Sequence, residues 1–303
     1  MAIYPLTQSQ LSAATAADAL AFLKSPALVA RRFAEILSAQ EFIGLSLLTG
    51  NYTIEGGAIG IPKNEQIRTE RRAETVSPGA EYKLTPLSRA QYDLYVAAKR
   101  GIATEVTDEE VGRLQGQPIE DALLYLKTEM LFDANALAIA VINSKVTATI
   151  AAGGAWTSAK QIVKDVLRAK SAVRKLHLGF NLDTVVLTGG QYAEVMPEVF
   201  DMLPANDDSV VTGDFPNALG ITWLSSDDGD FANPIMVDRR RLGGIAVEDI
   251  PSPEYVKVDS VRGVEVASIR QPTADKTRLQ ARFAHVPVVA NPLAGISITG
   301  TGL

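Results

Sequence analysis

The chain has 303 residues, a formal net charge of -6 and an isoelectric point near 5.1. With 47% hydrophobic and 21% charged residues it is excluded from the wholly disordered class and has length enough for one large or two ordinary domains. The acidic balance disfavours a sequence-reading DNA or RNA binder, and the absence of cysteine removes disulfides, thiolate metal sites, Fe–S clusters and cysteine nucleophiles together.

At the N-terminus Asp18 and Lys24 interrupt an alanine-rich run, so no signal-peptide pattern forms. The most apolar window, 134–142, is far short of the roughly 20 residues that a membrane span needs. The expectation is a soluble protein without Sec-type export or a membrane partner. Residues 1–43 begin polar and then show Leu28, Phe33, Ile36 and Leu37 near three-four spacing. This predicts an extended arm leading into a short helix, with no core of its own.

Residues 44–88 hold two strand-like pieces, "YTIEGGAIGIP" and "AEYKLTPL", around the charged stretch "KNEQIRTERRAETVSPG". They predict a long surface hairpin. About 45 residues given to a protrusion is unusual for a compact monomer and implies a partner for it to lie on. Gly56 and Gly57 would supply flexibility and close approach where the hairpin bends.

The spacing predicts a long helix over 118–144, with Pro118 at its first position and Glu120 and Asp121 at its positive end. Ile119, Leu123, Leu126, Met130, Ala134, Leu137 and Val141 form one apolar stripe. At 1.5 Å per residue it would reach roughly 40 Å, the length of a scaffold element. A second helix is predicted from a Ser158/Gln161 capping box to about Leu176. "DTVVLTGGQYAEVM" then reads as a buried strand, a turn and a helix onset, and 254–298 reads as mostly β. The fold class is α+β with discontinuous domains.

Catalytic chemistry finds little support. Gly56, Gly57 and Gly60 lead into strand, so no helix N-terminus stands behind them to hold phosphate. Gly189 and Gly190 have a strand-turn-helix setting, read as plain turn chemistry, with a nucleotide-dependent enzyme as the lesser alternative. His177 and His285 lack a second ligand at metal spacing, and "DDGD" at 227–230 lacks the spacing of a calcium loop. No catalytic, cofactor-binding or metal residue is expected. Arg239, Arg240 and Arg241 suit bidentate pairing with carboxylates of a neighbouring subunit. Arg68, Arg71 and Arg72, interleaved with Glu65, Glu70 and Glu74, suit intersubunit ion pairing.

The order of these pieces resembles the major capsid proteins of tailed phages, which have the Hong Kong 97 fold. Residues 1–43 resemble the N-arm, "LLTGNYTIEGGAIGIPKNEQIRTERRAETVSPGAEYKLTPLS" (within 44–88) the E-loop, and "PIEDALLYLKTEMLFDANALAIAVIN" the spine helix. The resemblance implies a peripheral domain at 89–150 and 249–285, and an axial domain at 151–248 and 286–303. It implies hexamers and pentamers closing an icosahedral shell around packaged double-stranded DNA, in a virion assembled in the bacterial host cytoplasm. Portal and decoration proteins would be partners, as would a separate scaffolding protein, since no extra domain precedes the arm. Gly56, Gly57, Lys63, Arg68, Arg71, Arg72 and Arg239–Arg241 would lie in intersubunit contacts. Lys63 and Asn291 do not match the positions that cross-link in some members, so no covalent cross-link is expected. An encapsulin-like or prophage-derived shell enclosing protein cargo is the alternative.

Overall fold

A single helix runs through both large apolar cores of the computed structural model. The structure describes residues 11, 14–38, 43–62, 74–84, 92–200, 217–218, 220–227, 232–258 and 263–303. In chain order, α1 (Ala16–Leu23), α2 (Pro26–Ser38) and α3 (Ile43–Leu47) lead into β1 (Gly50–Ile54) and β2 (Ala58–Pro62). Then come β3 (Tyr92–Val96), β4 (Arg100–Thr107), α4 (Asp108–Leu114), α5 (Gln117–Lys145), β5 (Thr149–Ala151), α6 (Ala159–Arg174), β6 (Thr184–Leu187) and α7 (Gly189–Phe200). The rest is β: β7 (Asn217–Ala218), β8 (Ile221–Ser225), β9 (Ile235–Val237), β10 (Gly243–Glu248), β11 (Val256–Lys257), β12 (Val264–Gln271), β13 (Lys276–Phe283), β14 (His285–Val289) and β15 (Gly295–Thr299).

The long helix is α5, with 29 residues and Pro118 in its first turn. Ile119, Leu123, Leu126, Met130 and Ala134 are buried as the stripe requires. Beyond them the buried face turns to Ala138, Ile139 and Ile142, while Leu137 and Val141 are only half-buried. The reason is the change of neighbours: residues 119–130 belong to one core and residues 138–146 to the other. Between them Gly44 of α3 packs directly on the helix, where an added Cβ would lie 2.7 Å from that of Ala138. Gly44 N–H donates to Asn135 Oδ1 at 3.1 Å and fixes that crossing.

The first core joins α1, α2, α4 and the front half of α5 to a four-stranded sheet, β11-β12-β13-β4. Here the arm expectation for 1–43 needs correction. Phe22, Leu23, Val29, Phe33, Ile36 and Leu37 are all buried, so 16–38 form two docked helices. Arg32 of α2 donates to both oxygens of Glu120 on α5, at 2.9 and 3.0 Å, in a nearly buried pair. Phe33 and a buried ion pair give α2 a core position that helical spacing alone did not reveal.

The second core packs α6, α7 and the rear half of α5 on a six-stranded sheet, β5-β15-β9-β6-β8-β7. Helix α6 begins after Ser158 as expected, but the capping box does not form. Ser158 makes no side-chain cap bond, and Gln161 instead donates to Asp165 at 2.7 Å. Glu198 Oε2, from α7, accepts from the Ala159 amide in its place. A complete capping box does occur at α4, between Thr107 and Glu110.

Candidate assembly surface

A third, small sheet connects the two cores and carries the protrusion. β10 is its centre, paired in parallel with β1 and antiparallel with β14. Gly243 and Gly244 open β10 because the flanking backbones come too near for side chains: a Cβ would fall 1.9 Å from Val288 O and 2.1 Å from Gly50 O respectively.

β1 does not run on into the hairpin. At Glu55–Ala58 the chain reverses through Gly56 and Gly57, with φ of 71° and 82°. Two consecutive positive φ values are the requirement of a two-residue hairpin turn, which glycine meets without strain. An added Cβ at either would meet nothing within 4 Å, so close approach is not their role; backbone conformation is.

After the turn β2 pairs with β3, not with the expected "AEYKLTPL". Residues 80–84 carry no strand, and the returning strand is Tyr92–Val96, beyond the expected limit at 88. Strict alternation gives this two-stranded ribbon two faces. Ile61, Asp93 and Tyr95 turn inward: Ile61 and Tyr95 are buried with Ile54, Ala246, Val288 and Ala290. The Tyr95 hydroxyl donates to Val289 O at 3.0 Å, and Lys145 Nζ lies 3.1 Å from Asp93 Oδ2. On the other face Tyr92, Leu94 and Val96 are 70, 71 and 64% exposed. The register places them opposite Pro62, Gly60 and Ala58, so the outer face is apolar along its length.

Arg239, Arg240 and Arg241 form the turn between β9 and β10. Its backbone is held from four sides. Thr49 Oγ1 donates to Arg239 O at 2.8 Å, Asp183 Oδ1 accepts from Arg239 N, Asp238 Oδ1 accepts from Arg240 N, and Asn291 Nδ2 donates to Arg241 O. Arg239 is half-buried and the other two are exposed; among the described residues no carboxylate pairs with the three guanidinium groups. Asn291 is buried, with its amide committed to this turn. Lys63, Arg68, Arg71 and Arg72 lie outside the described residues.

The remaining candidates have structural uses. Gly189 N–H donates to Asp227 Oδ1 at 2.7 Å, so a carboxylate of the protein already occupies the helix N-terminus that a phosphate would need. A Cβ on Gly189 would collide with that carboxylate. His177 closes the turn after α6 in a left-handed conformation, its amide donating to Arg174 O. His285 is buried and stacked on Phe283, with ring centroids 4.2 Å apart. Among the described residues no group of three or more His, Asp or Glu could hold a metal ion. Sequence reasoning missed Asp93, Tyr95 and Lys145, although the alternation in "YDLYV" was legible.

A family model described as phage capsid protein matches residues 91–298, more than two thirds of the chain, with all of the four-stranded sheet and all but Thr299 of the six-stranded one. The chain belongs to the phage capsid protein family. No curated protein matches it. Among solved structures, a virus-like particle from Pyrococcus furiosus is similar at 12% identity and a TM-score of 0.57, covering 88% of this chain and 95% of that one. The capsid of cyanophage P-SCSP1u is similar at 10% identity and 0.57, covering 83% and 86%. An encapsulin from Synechococcus elongatus PCC 7942 is similar at 12% identity and 0.50, covering 82% and 83%. The fold is the Hong Kong 97 type expected from the sequence, and this is a shell-forming capsid protein.

Proposed function

We propose that this capsid protein is the major head protein of a tailed phage, its copies joining as hexamers and pentamers of an icosahedral shell around packaged double-stranded DNA. The observation that carries this reading is the ribbon β2–β3, whose outer row Tyr92, Leu94 and Val96 has no cover among the described residues. A neighbouring subunit would bury that row, and burial of three such side chains gives about 1.5–3 kcal/mol each when complete. Gly56 and Gly57 set the turn that begins the ribbon, and Lys63, Arg68, Arg71 and Arg72, which follow β2 in the sequence, are proposed as intersubunit contacts. Arg239, Arg240 and Arg241 form a second contact. The protein's role is structural, without a catalytic site, and Asp227 at the Gly189 amide supports that over nucleotide chemistry. Scaffolding, portal and decoration proteins are its partners, assembly takes place in the host cytoplasm, and the final location is the virion.

The likeness to an encapsulin favours a second reading, a shell around protein cargo. Purified particles separate the two. Nuclease-protected double-stranded DNA of uniform length supports the phage head; particles holding a protein cargo and no DNA contradict it.

A further inference from the structure

We infer that the Arg239–Arg241 turn of one copy seats in an acidic groove at the far end of β10 on a second copy; the inference rests on the shell reading and names a contact within it. The groove, about 480 Å³, lies between the end of β10, β11 and the start of β12. Among the described residues its charged lining is Glu248, Asp249 and Glu265 against the ammonium of Lys257. Glu265 is satisfied by Arg282 at 2.7 Å. Among the described residues Asp249 pairs with Lys257 alone, with side chains 62 and 66% exposed, an arrangement of little strength. Glu248 is half-buried, and among the described residues its carboxylate has no cation. The parallel register sets Ile54 opposite Glu248, so the exposed Glu55 leaves the sheet at the same end.

One strand thus has a convex basic end and a concave acidic end. Six residues separate them, about 20 Å of β-structure. The turn's backbone is fixed by Thr49, Asp183, Asp238 and Asn291, so its guanidinium groups are presented at little ordering cost. Paired Arg–carboxylate forks are among the strongest charge-assisted bonds, and the groove offers Glu248 without a cation among the described residues and Asp249 in a weak, exposed pair. Opposite poles on one element can join head to tail, the contact type that closes into rings. Nucleic acid at the turn would leave the groove without a partner, and the net charge of -6 works against it.

Reciprocal charge reversal tests this, with association read by sedimentation velocity, which registers small rings as well as shells. R240E/R241E and E248K/D249K should each keep the parent's thermal melt and lose at least tenfold in the associated fraction. The chain carrying all four changes should regain most of it. The contact is overturned if that chain stays folded yet is no better than the two doubles. It is equally overturned if R240E/R241E associates like the parent, even with less nucleic acid retained. A parent that forms shells while the four-change chain fails removes the contact alone; a strictly monomeric parent removes the shell reading with it.

Discussion

Lys145, the last residue of the long helix α5, meets Asp93 of the returning ribbon strand at 3.1 Å and lies 5.5 Å from the centroid of the Tyr95 ring. The Asp93 carboxylate raises the Lys145 pKa through that hydrogen bond. The end of the helix is therefore tied to the ribbon strand β3.

Breaking that pair should loosen the ribbon more than the fold. The side chains are 36 and 21% exposed, so Asp93→Asn or Lys145→Met should cost about 1 kcal/mol or less of global stability. Amide exchange over Tyr92–Val96 should quicken several-fold while the amides of α5 stay protected. Unchanged exchange in the ribbon would count against the anchor.

At Gly56 and Gly57 the open space around a new Cβ confines any penalty to the backbone. Gly56→Val should destabilise by about 1–2 kcal/mol, and Gly56→Asn by clearly less, because asparagine tolerates positive φ. Equal losses in chemical denaturation for the two variants would contradict the turn assignment.

The Arg32–Glu120 pair should behave as a buried one. Glu120→Ala leaves the Arg32 guanidinium of α2 with Glu35, at 3.0 Å, as its remaining partner and should cost up to about 3 kcal/mol. R32M/E120L should recover most of that loss, since apolar residues of similar volume fill the same space. A double variant no more stable than Glu120→Ala would show that the pair does more than fill and neutralise.

His285 should make stability fall with mild acid. Burial, and then the positive charge of Arg100, lowers its pKa from 6.5 to about 4, and both ring nitrogens lack a hydrogen-bond partner among the described residues. The unfolded chain takes up a proton as pH drops below 6.5, whereas the folded chain resists until about 4. Its contribution is thus fully present above the higher value and is lost progressively toward the lower one, at up to about 1.4 kcal/mol per pH unit. Glu105, held low by hydrogen bonds from Lys276 and Arg278, acts mostly below that window. His285→Leu should flatten the slope of unfolding free energy between these pH values; an unaltered slope would assign it to other groups.

Much of this architecture was legible because it depends on local periodicity. The stripe on α5, the strand and helix around Gly189 and the β segments after Glu254 all followed from spacing. What stayed hidden depended on tertiary partners. Val29 and Phe33 look like any amphipathic helix until β12 and α5 enclose them. The rotation of the buried face at Ala138 required knowledge of the second core. The Ser158/Gln161 pattern failed because Asp165, itself buried, draws in Gln161, the Gly153 amide and the Trp156 ring N–H. The three arginines were visible as a run, but the four bonds that fix their turn come from residues as distant as Thr49 and Asn291.

Electron microscopy of the purified protein, expressed alone and with a scaffolding protein, tests the central claim most directly. The account predicts closed shells or capsomers in which the ribbon's Tyr92, Leu94 and Val96 lie against a neighbouring subunit. A protein that stays monomeric under every assembly condition, or shells in which that row faces solvent, would contradict it.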